Sequence, residues 1–181
     1  MKPVVLGFAG PIGSGKSAVS RALAASLGWP RVAFGDYVRA IAGQRGLELT
    51  RPVLQEVGSS LINAGWDDFV LGVLAQAERR GSQGLLVDGI RHVAAIATLR
   101  KLVHPIPVLT IYLEAGLVLR RERLLREGRD AFELELAEMH PVETELERVR
   151  VSCDGRIEAN GGLDEVVIHI SRYLAERVGE A

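Results

Sequence analysis

The sequence predicts an α/β fold in which a parallel sheet of five strands is covered by helices on both faces. Short apolar runs of strand-like composition alternate with amphipathic stretches of helical periodicity along the chain, which is typical of parallel α/β sheets. The first apolar run leads into a glycine-rich turn and then a helix. These two observations also indicate that polar residues after the strands meet at one edge of the sheet.

Each predicted strand is a short apolar run that ends at a turn or at a polar residue. The strands are expected at residues 3–9, 31–34, 84–87 and 108–113, with a short, poor fifth strand within 154–162. The helices are expected at 18–27, 37–45, from 50–52 to a break at 64–65, 66–80, 93–102, 119–130 (with a loop), 132–151 (interrupted near Pro141) and 163–178. Asp36 is the expected N-cap of the second helix.

The composition is that of an ordinary globular protein of one domain. The chain has 181 residues, of which 48% are hydrophobic and 25% charged. A net charge of −1 gives no basic field, so we expect neither a nucleic acid polymer nor a membrane as a partner. Cys153 is the only cysteine, which excludes an internal disulfide. With no signal-peptide pattern and no long apolar run, we expect a cytoplasmic protein.

Residues 10–17, GPIGSGKS, match the phosphate-binding pattern G-x-x-x-x-G-K-S/T at every fixed position. We call this stretch the phosphate loop. Its glycines permit a tight turn whose backbone N–H groups form an anion cradle. Lys16 is expected to reach the β- and γ-phosphates of a nucleoside triphosphate, and the Ser17 hydroxyl to ligate Mg²⁺. The alternative is a structural glycine turn.

Two acidic residues follow strands near the phosphate loop. Asp36 comes after the second strand, where ligands bind in open α/β sheets, and Arg39 lies one helical turn further on. The alternative for this pair is a capping aspartate and a solvated arginine. Asp88 ends the third strand, where an acid holds Mg²⁺ directly or through water, and Arg91 has the guanidinium fork that neutralises an acceptor anion. The alternative for Asp88 is a turn residue.

An arginine-rich stretch follows the fourth strand, with five arginines within residues 120–129. Arg120 and Arg123 share a helical face, and Arg126 and Arg129 continue towards a glycine-containing loop. Guanidinium groups on a mobile helix and loop stabilise the charge of a transferring phosphoryl group. The alternative is a solvated helix with Glu–Arg pairs at i,i+4 spacing.

In this order, the motifs resemble those of the P-loop nucleoside-monophosphate kinase superfamily, which has adenylate-kinase-like, deoxynucleotide-kinase-like and dephospho-coenzyme-A-kinase-like members. Residues 34–39 are similar to its acceptor segment G-D-x-x-R. Residues 86–91 are similar to its D-G-x-x-R, with the arginine one position early. Residues 50–58 are similar to the R-x-x-L-Q-x-x-G helix that lines the acceptor pocket. Residues 154–161 are similar to a late D-x-x-I-x-N-x-G segment near the adenine, with the asparagine one position late.

The resemblance implies a three-layer P-loop kinase fold and a set of site residues. It implies one domain over 1–181, an acceptor-binding region at about 36–80 and a lid at about 120–140. The ATP-binding residues would be Gly10, Pro11, Ile12, Gly13, Ser14, Gly15, Lys16, Ser17, Ala18, Asn160 and Gly161. The acceptor-binding residues would be Asp36, Arg39, Arg51, Gln55 and Arg91. The catalytic residues would be Lys16, Asp36, Arg120, Arg123 and Arg126, and Mg²⁺ would be held by Ser17 and Asp88.

The function that we expect is transfer of the γ-phosphoryl group of ATP, with Mg²⁺, to a nucleoside monophosphate or deoxynucleotide. The partners would be ATP and a small phosphorylated acceptor, in a monomer or homodimer. One alternative is a dephospho-coenzyme-A kinase or another kinase of a small hydroxyl compound, for which Asp36 would be the general base. An alternative of another class is an NTP-binding regulatory switch. Ala18 departs from the family, where threonine is common, so a hydroxyl contact to the α-phosphate is not expected.

Overall fold

Five parallel strands form one sheet, and the phosphate loop leaves its central strand. The structure is a computed structural model that describes residues 3–77, 84–129 and 142–179. The strands are β1 (Val4–Ala9), β2 (Arg31–Ala33), β3 (Gly84–Ile90), β4 (Val108–Glu114) and β5 (Gly155–Glu158). Their order is β2-β3-β1-β4-β5, and every neighbouring pair is parallel. The α/β fold predicted from the sequence is confirmed.

Helices cover both faces of the sheet. The described helices are α1 (Lys16–Leu27), α2 (Phe34–Gln44), α3 (Arg51–Ala64), α4 (Trp66–Leu74), α5 (Val93–Val103), α6 (Leu117–Arg126), α7 (Val142–Ser152) and α8 (Leu163–Gly179). Within residues 3–77, 84–129 and 142–179, no helix has the length and apolar character needed to cross a bilayer.

The core has two layers because successive side chains of β1 point to opposite faces of the sheet. Val5 and Ala9 pack in a cluster with apolar residues of α4, α5 and α7. Val4, Leu6 and Phe8 pack in the other, with apolar residues of α1 and α8. All six residues of β1 are buried, as expected for the central strand of a parallel sheet. This core fixes the carboxyl ends of the strands, where the polar residues lie.

Two local predictions from the sequence are wrong. Asp36 is not a helix cap, because α2 begins at Phe34, directly after β2, and its N-cap is Ala33 in an extended conformation. Burial of Phe34 in the core turns the chain into the helix at once, so Asp36 lies in the first turn. The predicted helix over 66–80 ends at Leu74. Residues 78–80, residues 130–140 of the predicted lid and the interruption at Pro141 lie outside the described residues.

Candidate nucleotide and phosphoryl-transfer site

The phosphate loop has the backbone that an anion cradle requires. Gly10, Gly13 and Gly15 have φ of 146°, 76° and 89°, which glycine adopts without strain. Gly15 is the N-cap of α1, so the unpaired N–H groups and the positive end of the helix dipole lie at the loop. A phosphate group bound here would receive these donors.

Close packing explains the glycines further. A Cβ atom at Gly10 would lie 2.6 Å from the carbonyl oxygen of Leu113, at the end of β4. A Cβ atom at Gly13 would lie 2.7 Å from the carbonyl oxygen of Arg120 in α6. Both obstacles are backbone atoms, which cannot move aside as a side chain can. The loop is therefore shaped by β4 and α6 as well as by its own sequence.

Lys16 lies among several cations. Its Nζ donates a hydrogen bond to the carbonyl oxygen of Pro11 at 3.2 Å. Burial, together with the positive charges of Arg91, Arg120 and Arg129, lowers the pKa of Lys16 from 10.5 to about 8, against the opposing field of Asp88. So many positive charges around one glycine cradle favour a polyanionic ligand, whose binding would raise the pKa again.

Asp88 offers one free carboxylate oxygen beside the loop. It lies in β3, its neighbour in the sheet is Phe8 of β1, and it is 2% exposed. Its Oδ2 accepts hydrogen bonds from Arg31 and from Ser20 Oγ, the latter at 3.2 Å. Its Oδ1 is buried without a hydrogen-bond partner among the described residues. An unpaired buried carboxylate oxygen is unusual, and it has the chemistry of a ligand for a cation or for a water.

These groups fit Mg²⁺ as proteins bind it with nucleotides. Magnesium is usually held by one or two protein oxygens together with substrate phosphates and water. Asp88 Oδ1 and the hydroxyl of Ser17, in the first turn of α1, are oxygen ligands of this kind. Within the described residues, no cluster of three or more His, Cys, Asp or Glu could hold a metal alone. A site here would therefore be completed by the nucleotide.

Asp36 is held by two arginines, one from β2 and one from α2. Its Oδ2 accepts from Nη1 of Arg31 at 3.2 Å, and its Oδ1 accepts from Nη2 of Arg39. Burial pushes the pKa of Asp36 upward, but the hydrogen bonds and charges of Arg39 and Arg31 outweigh it and lower the pKa below its usual value. The side chain is still 46% exposed. The structure therefore joins Asp36 and Arg39, which the sequence placed in one crevice.

The other predicted acceptor residues are less closely assembled. Arg51 and Gln55 lie in the first half of α3, which packs against α2. Gln55 is exposed and Arg51 is half-buried. Arg91 follows β3 and is exposed, and its charge acts on Lys16. Arg91 is thus near Lys16 of the phosphate loop, and its role at the acceptor stays a prediction.

Arg120 and Arg123 of α6 bind the backbone of the phosphate loop. Nε of Arg120 donates to the carbonyl oxygen of Ile12 at 2.7 Å. Nη1 of Arg123 donates to the carbonyl oxygen of Ser14 at 2.9 Å, and its Nη2 donates to that of Ala159 at 2.6 Å. These contacts fasten α6 to the loop and to the end of β5.

Arg126 faces away from this contact. It is 75% exposed and pairs with Glu122 at 3.4 Å, the i,i+4 arrangement left open as an alternative. Arg129 pairs with Glu127 at 3.6 Å, and its charge also acts on Lys16. The arginine-rich stretch therefore divides into residues that hold the loop and residues that lie on the surface.

The late segment that resembles an adenine-side loop divides in the same way. Asn160 and Gly161 border a groove of about 500 Å³ between β5 and α8. Asp154, by contrast, fastens β5 to the core: its Oδ2 accepts from the N–H and the hydroxyl of Thr110, both at 2.7 Å, and Arg100 donates to both its oxygens. Asp154 thus has a structural environment, whereas Asn160 and Gly161 remain candidates for the adenine side.

With this geometry established, comparison with known proteins assigns the family. Residues 9–139 match the family model of the AAA domain. The chain belongs to that family. It is also 32% identical over 127 residues to a UPF0200 protein of Methanosarcina barkeri, a match that covers 69% of this chain and 67% of that protein. A UPF0200 protein of Thermococcus kodakarensis is 30% identical over 120 residues, 65% of this chain and 64% of that one.

Solved structures share the fold of this AAA-domain protein across nearly its whole length. A shikimate kinase from Aquifex aeolicus has a TM-score of 0.65 at 16% identity, covering 97% of this chain and 98% of that one. A gluconokinase from Sinorhizobium meliloti has a TM-score of 0.56 at 18% identity, covering 99% and 98%. The fold is therefore that of the P-loop kinases, as predicted.

Two residues of this AAA-domain site, Arg31 and Ser20, were missed by sequence reasoning. Arg31 opens β2, and Ser20 lies in α1, one turn after Ser17. Both carry weak signals. A charged residue begins an otherwise apolar strand, and a serine occupies a position of α1 that proves to be fully buried.

Proposed function

We propose that this protein is an ATP-dependent phosphotransferase that moves the γ-phosphoryl group, with Mg²⁺, to a nucleoside monophosphate or deoxynucleotide. One observation carries the proposal. Lys16, with its pKa lowered to about 8, lies at a glycine cradle among the charges of Arg91, Arg120 and Arg129, and Asp88 has an open carboxylate oxygen beside it. A donor triphosphate, Mg²⁺ and a second anion would balance this arrangement.

The donor side would be held by the phosphate loop. Its backbone N–H groups and Lys16 bind the β- and γ-phosphates and keep the transferring group in line. Ser17 and Asp88 would hold Mg²⁺, which when bound neutralises negative charge on the phosphates. Arg120 and Arg123 act through the loop, because their hydrogen bonds go to its carbonyl oxygens. Arg126 and Arg129 remain candidates for contact with the transferring group.

The acceptor side would be the crevice between α2, α3 and the end of β3. Arg39, Arg51 and Arg91 would bind the acceptor phosphate, with Gln55 beside them. Arg39 now donates to Asp36, and a phosphate with two negative charges would compete for that guanidinium. Asn160 and Gly161 would contact the adenine of the donor.

The state of Asp36 favours a phosphate acceptor over a hydroxyl one. A phosphate oxygen is already ionised at neutral pH, so its attack needs no general base. A hydroxyl acceptor gains from a carboxylate that takes up its proton. Both oxygens of Asp36 are engaged by guanidinium groups and its pKa is lowered, which makes it a weak base.

A hydroxyl acceptor is the second candidate, because Asp36 is 46% exposed and within reach of a bound molecule. The structural neighbours include enzymes whose names are shikimate kinase and gluconokinase. An acceptor hydroxyl that displaced Arg39 from Asp36 would gain access to the carboxylate.

The test is conversion of ATP to ADP with Mg²⁺ across an acceptor panel. The panel contains ribo- and deoxynucleoside monophosphates, dephospho-coenzyme A, shikimate, gluconate and no acceptor, with Lys16→Met as the inactive control. We expect a clear rise with one monophosphate. A rise only with a hydroxyl compound would replace the first candidate by the second. Steady hydrolysis that no acceptor changes would contradict both and indicate an NTP-dependent switch.

A further inference from the structure

Arg31 joins three parts of the site through one guanidinium group. Its Nε donates to Ser20 Oγ in α1 at 2.8 Å, its Nη1 to Asp36 in α2 at 3.2 Å, and its Nη2 to Asp88 in β3. The side chain is only 14% exposed. With three directions fixed by hydrogen bonds, the plane of the guanidinium is set.

The contact with Asp88 has an asymmetric consequence. Arg31 and Ser20 both bind Oδ2, and Oδ1 is left without a partner among the described residues. A carboxylate in free rotation could present either oxygen, whereas this one is held by one oxygen and presents the other. The open oxygen is the one that would face a cation or its water.

Arg31 also keeps Lys16 available for phosphate. A carboxylate that is 98% buried needs a cation nearby, because an unpaired buried charge is strongly destabilising. Lys16 is close enough for its pKa to respond to Asp88, yet its Nζ donates to the carbonyl oxygen of Pro11. Since Arg31 supplies the direct partner of Asp88, Lys16 is not drawn into an ion pair with it.

We propose that Arg31 is a positioning residue that fixes the Asp88 carboxylate for Mg²⁺, with its Oδ2 held and its Oδ1 presented to the metal. This inference rests on the proposed function, because it assumes a magnesium nucleotide at the phosphate loop. It goes beyond that function in assigning the geometry of the metal side to a residue of β2 whose hydrogen bonds go to Ser20, Asp36 and Asp88.

The geometry requires arginine at this position. A guanidinium has donors in a rigid planar fork, so one group satisfies Ser20, Asp36 and Asp88 together. A lysine has a single ammonium on a flexible stem and keeps the charge without the fork. Arg31→Lys therefore separates the charge of Arg31 from its positioning role.

The experiment measures metal and nucleotide binding in the whole protein, without turnover. Mn²⁺ is the metal probe, because its free aqua ion has an electron paramagnetic resonance signal that falls on binding. Its affinity is measured with the protein in excess over ATP, so that free nucleotide does not bind the metal, and the affinity for ATP is measured by calorimetry with Mg²⁺ and with EDTA. The variants are Arg31→Lys and Ser20→Ala, with Arg21→Lys on the exposed side of α1 as the matched control.

For Arg31→Lys we expect a loss of about 10-fold or more in Mn²⁺ affinity, since residues that orient metal ligands typically contribute 10- to 100-fold. The affinity for ATP in EDTA should stay within about twofold, because phosphate contacts are unchanged. The Ser20 hydroxyl lies 3.2 Å from both Asp88 Oδ2 and the carbonyl oxygen of Ser17, so it is a shared donor, and for Ser20→Ala a smaller loss in the same direction is expected. Arg21→Lys should match the wild type.

Three results would overturn the inference. Unchanged Mn²⁺ affinity in Arg31→Lys would show that Asp88 is positioned without the fork. An equal loss of ATP affinity with Mg²⁺ and with EDTA would show a general structural role. An affinity of the wild type for ATP that is the same with Mg²⁺ and with EDTA would show that no metal binds with the nucleotide. If the wild type binds metal and ATP but phosphorylates no acceptor, the proposed function is contradicted instead. The comparison of metal affinity between Arg31→Lys and the wild type then remains valid.

Discussion

Nε of Arg120 donates a hydrogen bond to the carbonyl oxygen of Ile12 at 2.7 Å, so an arginine predicted to act on substrate also holds the backbone of the phosphate loop. For Arg120→Gln we expect a loss of about 1–3 kcal/mol in the free energy of unfolding, because the loop carbonyl loses a charged donor. The affinity for ATP should fall with it, as the loop relaxes. Urea unfolding and calorimetry measure the two effects.

The matched control for this change is Arg126→Gln, on the same helix. Arg126 is 75% exposed and its pair with Glu122 is on the surface, so stability should change by less than about 0.5 kcal/mol. If both variants lost ATP affinity equally, Arg126 would also contact the nucleotide.

Lys16 should make ATP binding depend on pH above about 8. Its pKa in the free protein is about 8, and bound phosphates raise it, so binding takes up a proton in this range. The Kd for ATP should therefore rise by up to about tenfold per pH unit above 8. Calorimetry in buffers of different ionisation enthalpy measures the proton uptake, and Lys16→Met should abolish it.

The lowered pKa of Lys16 also predicts the direction in which the free energy of unfolding changes with pH. Between pH 8 and 10.5 the unfolded chain binds more protons at Lys16 than the folded protein does. The contribution of Lys16 to the free energy of unfolding should therefore increase with pH through this interval, and Lys16→Met should remove that increase. If the free energy of unfolding changed with pH in the same way in the wild type and in Lys16→Met, the lowered pKa would be contradicted.

Gly13 and Gly28 offer a paired test of the phosphate loop. Both have positive φ, 76° and 65°, but a Cβ atom at Gly13 would lie 2.7 Å from the carbonyl oxygen of Arg120, whereas Gly28 has open space. Gly28→Ala should reduce stability by only about 1–2 kcal/mol, the strain of the left-handed conformation. Gly13→Ala should reduce it by more and abolish ATP binding. Equal losses of stability in the two variants would mean that α6 moves to make room for the Cβ atom at Gly13.

Asp36→Asn distinguishes the two classes of acceptor. With a phosphate acceptor we expect kcat to fall by less than about tenfold, because no proton has to be removed. With a hydroxyl acceptor the loss should reach about 10²- to 10⁴-fold. Steady-state kinetics on the best acceptor of the panel measures the loss, with Glu48→Gln, an exposed acid outside the site, as the control.

Asp154→Asn tests whether this residue serves the structure or the nucleotide. It accepts hydrogen bonds from the N–H and the hydroxyl of Thr110, so its loss should destabilise the protein by about 1–3 kcal/mol. The affinity for ATP should not change. Asp67→Asn, which removes the exposed partner of Lys101, should have little effect on either. A selective loss of ATP affinity in Asp154→Asn would place it at the adenine side after all.

The sequence alone determined the fold and the position of the phosphate loop. Apolar runs of strand length alternating with amphipathic helices leave few arrangements other than a parallel sheet with two helical layers. The glycine and lysine spacing of residues 10–17 is a local pattern, because the turn, its donors and the following helix are contiguous in the chain. Asp88 was identified in the same way, as an acid near the carboxyl end of a strand beside that loop.

The tertiary structure decided which charged side chains meet. Arg31 and Asp88 are 57 residues apart, and Arg120 and Ile12 are 108 apart, so no local pattern pairs them. The register of β2 against β3 places Arg31 within reach of Asp88, and the packing of α6 against the loop turns two predicted substrate arginines onto backbone carbonyl oxygens. Charge and spacing in the sequence show which residues can bind phosphate. Which partner each cation binds depends on the groups that packing places next to it, and packing is a property of the whole fold.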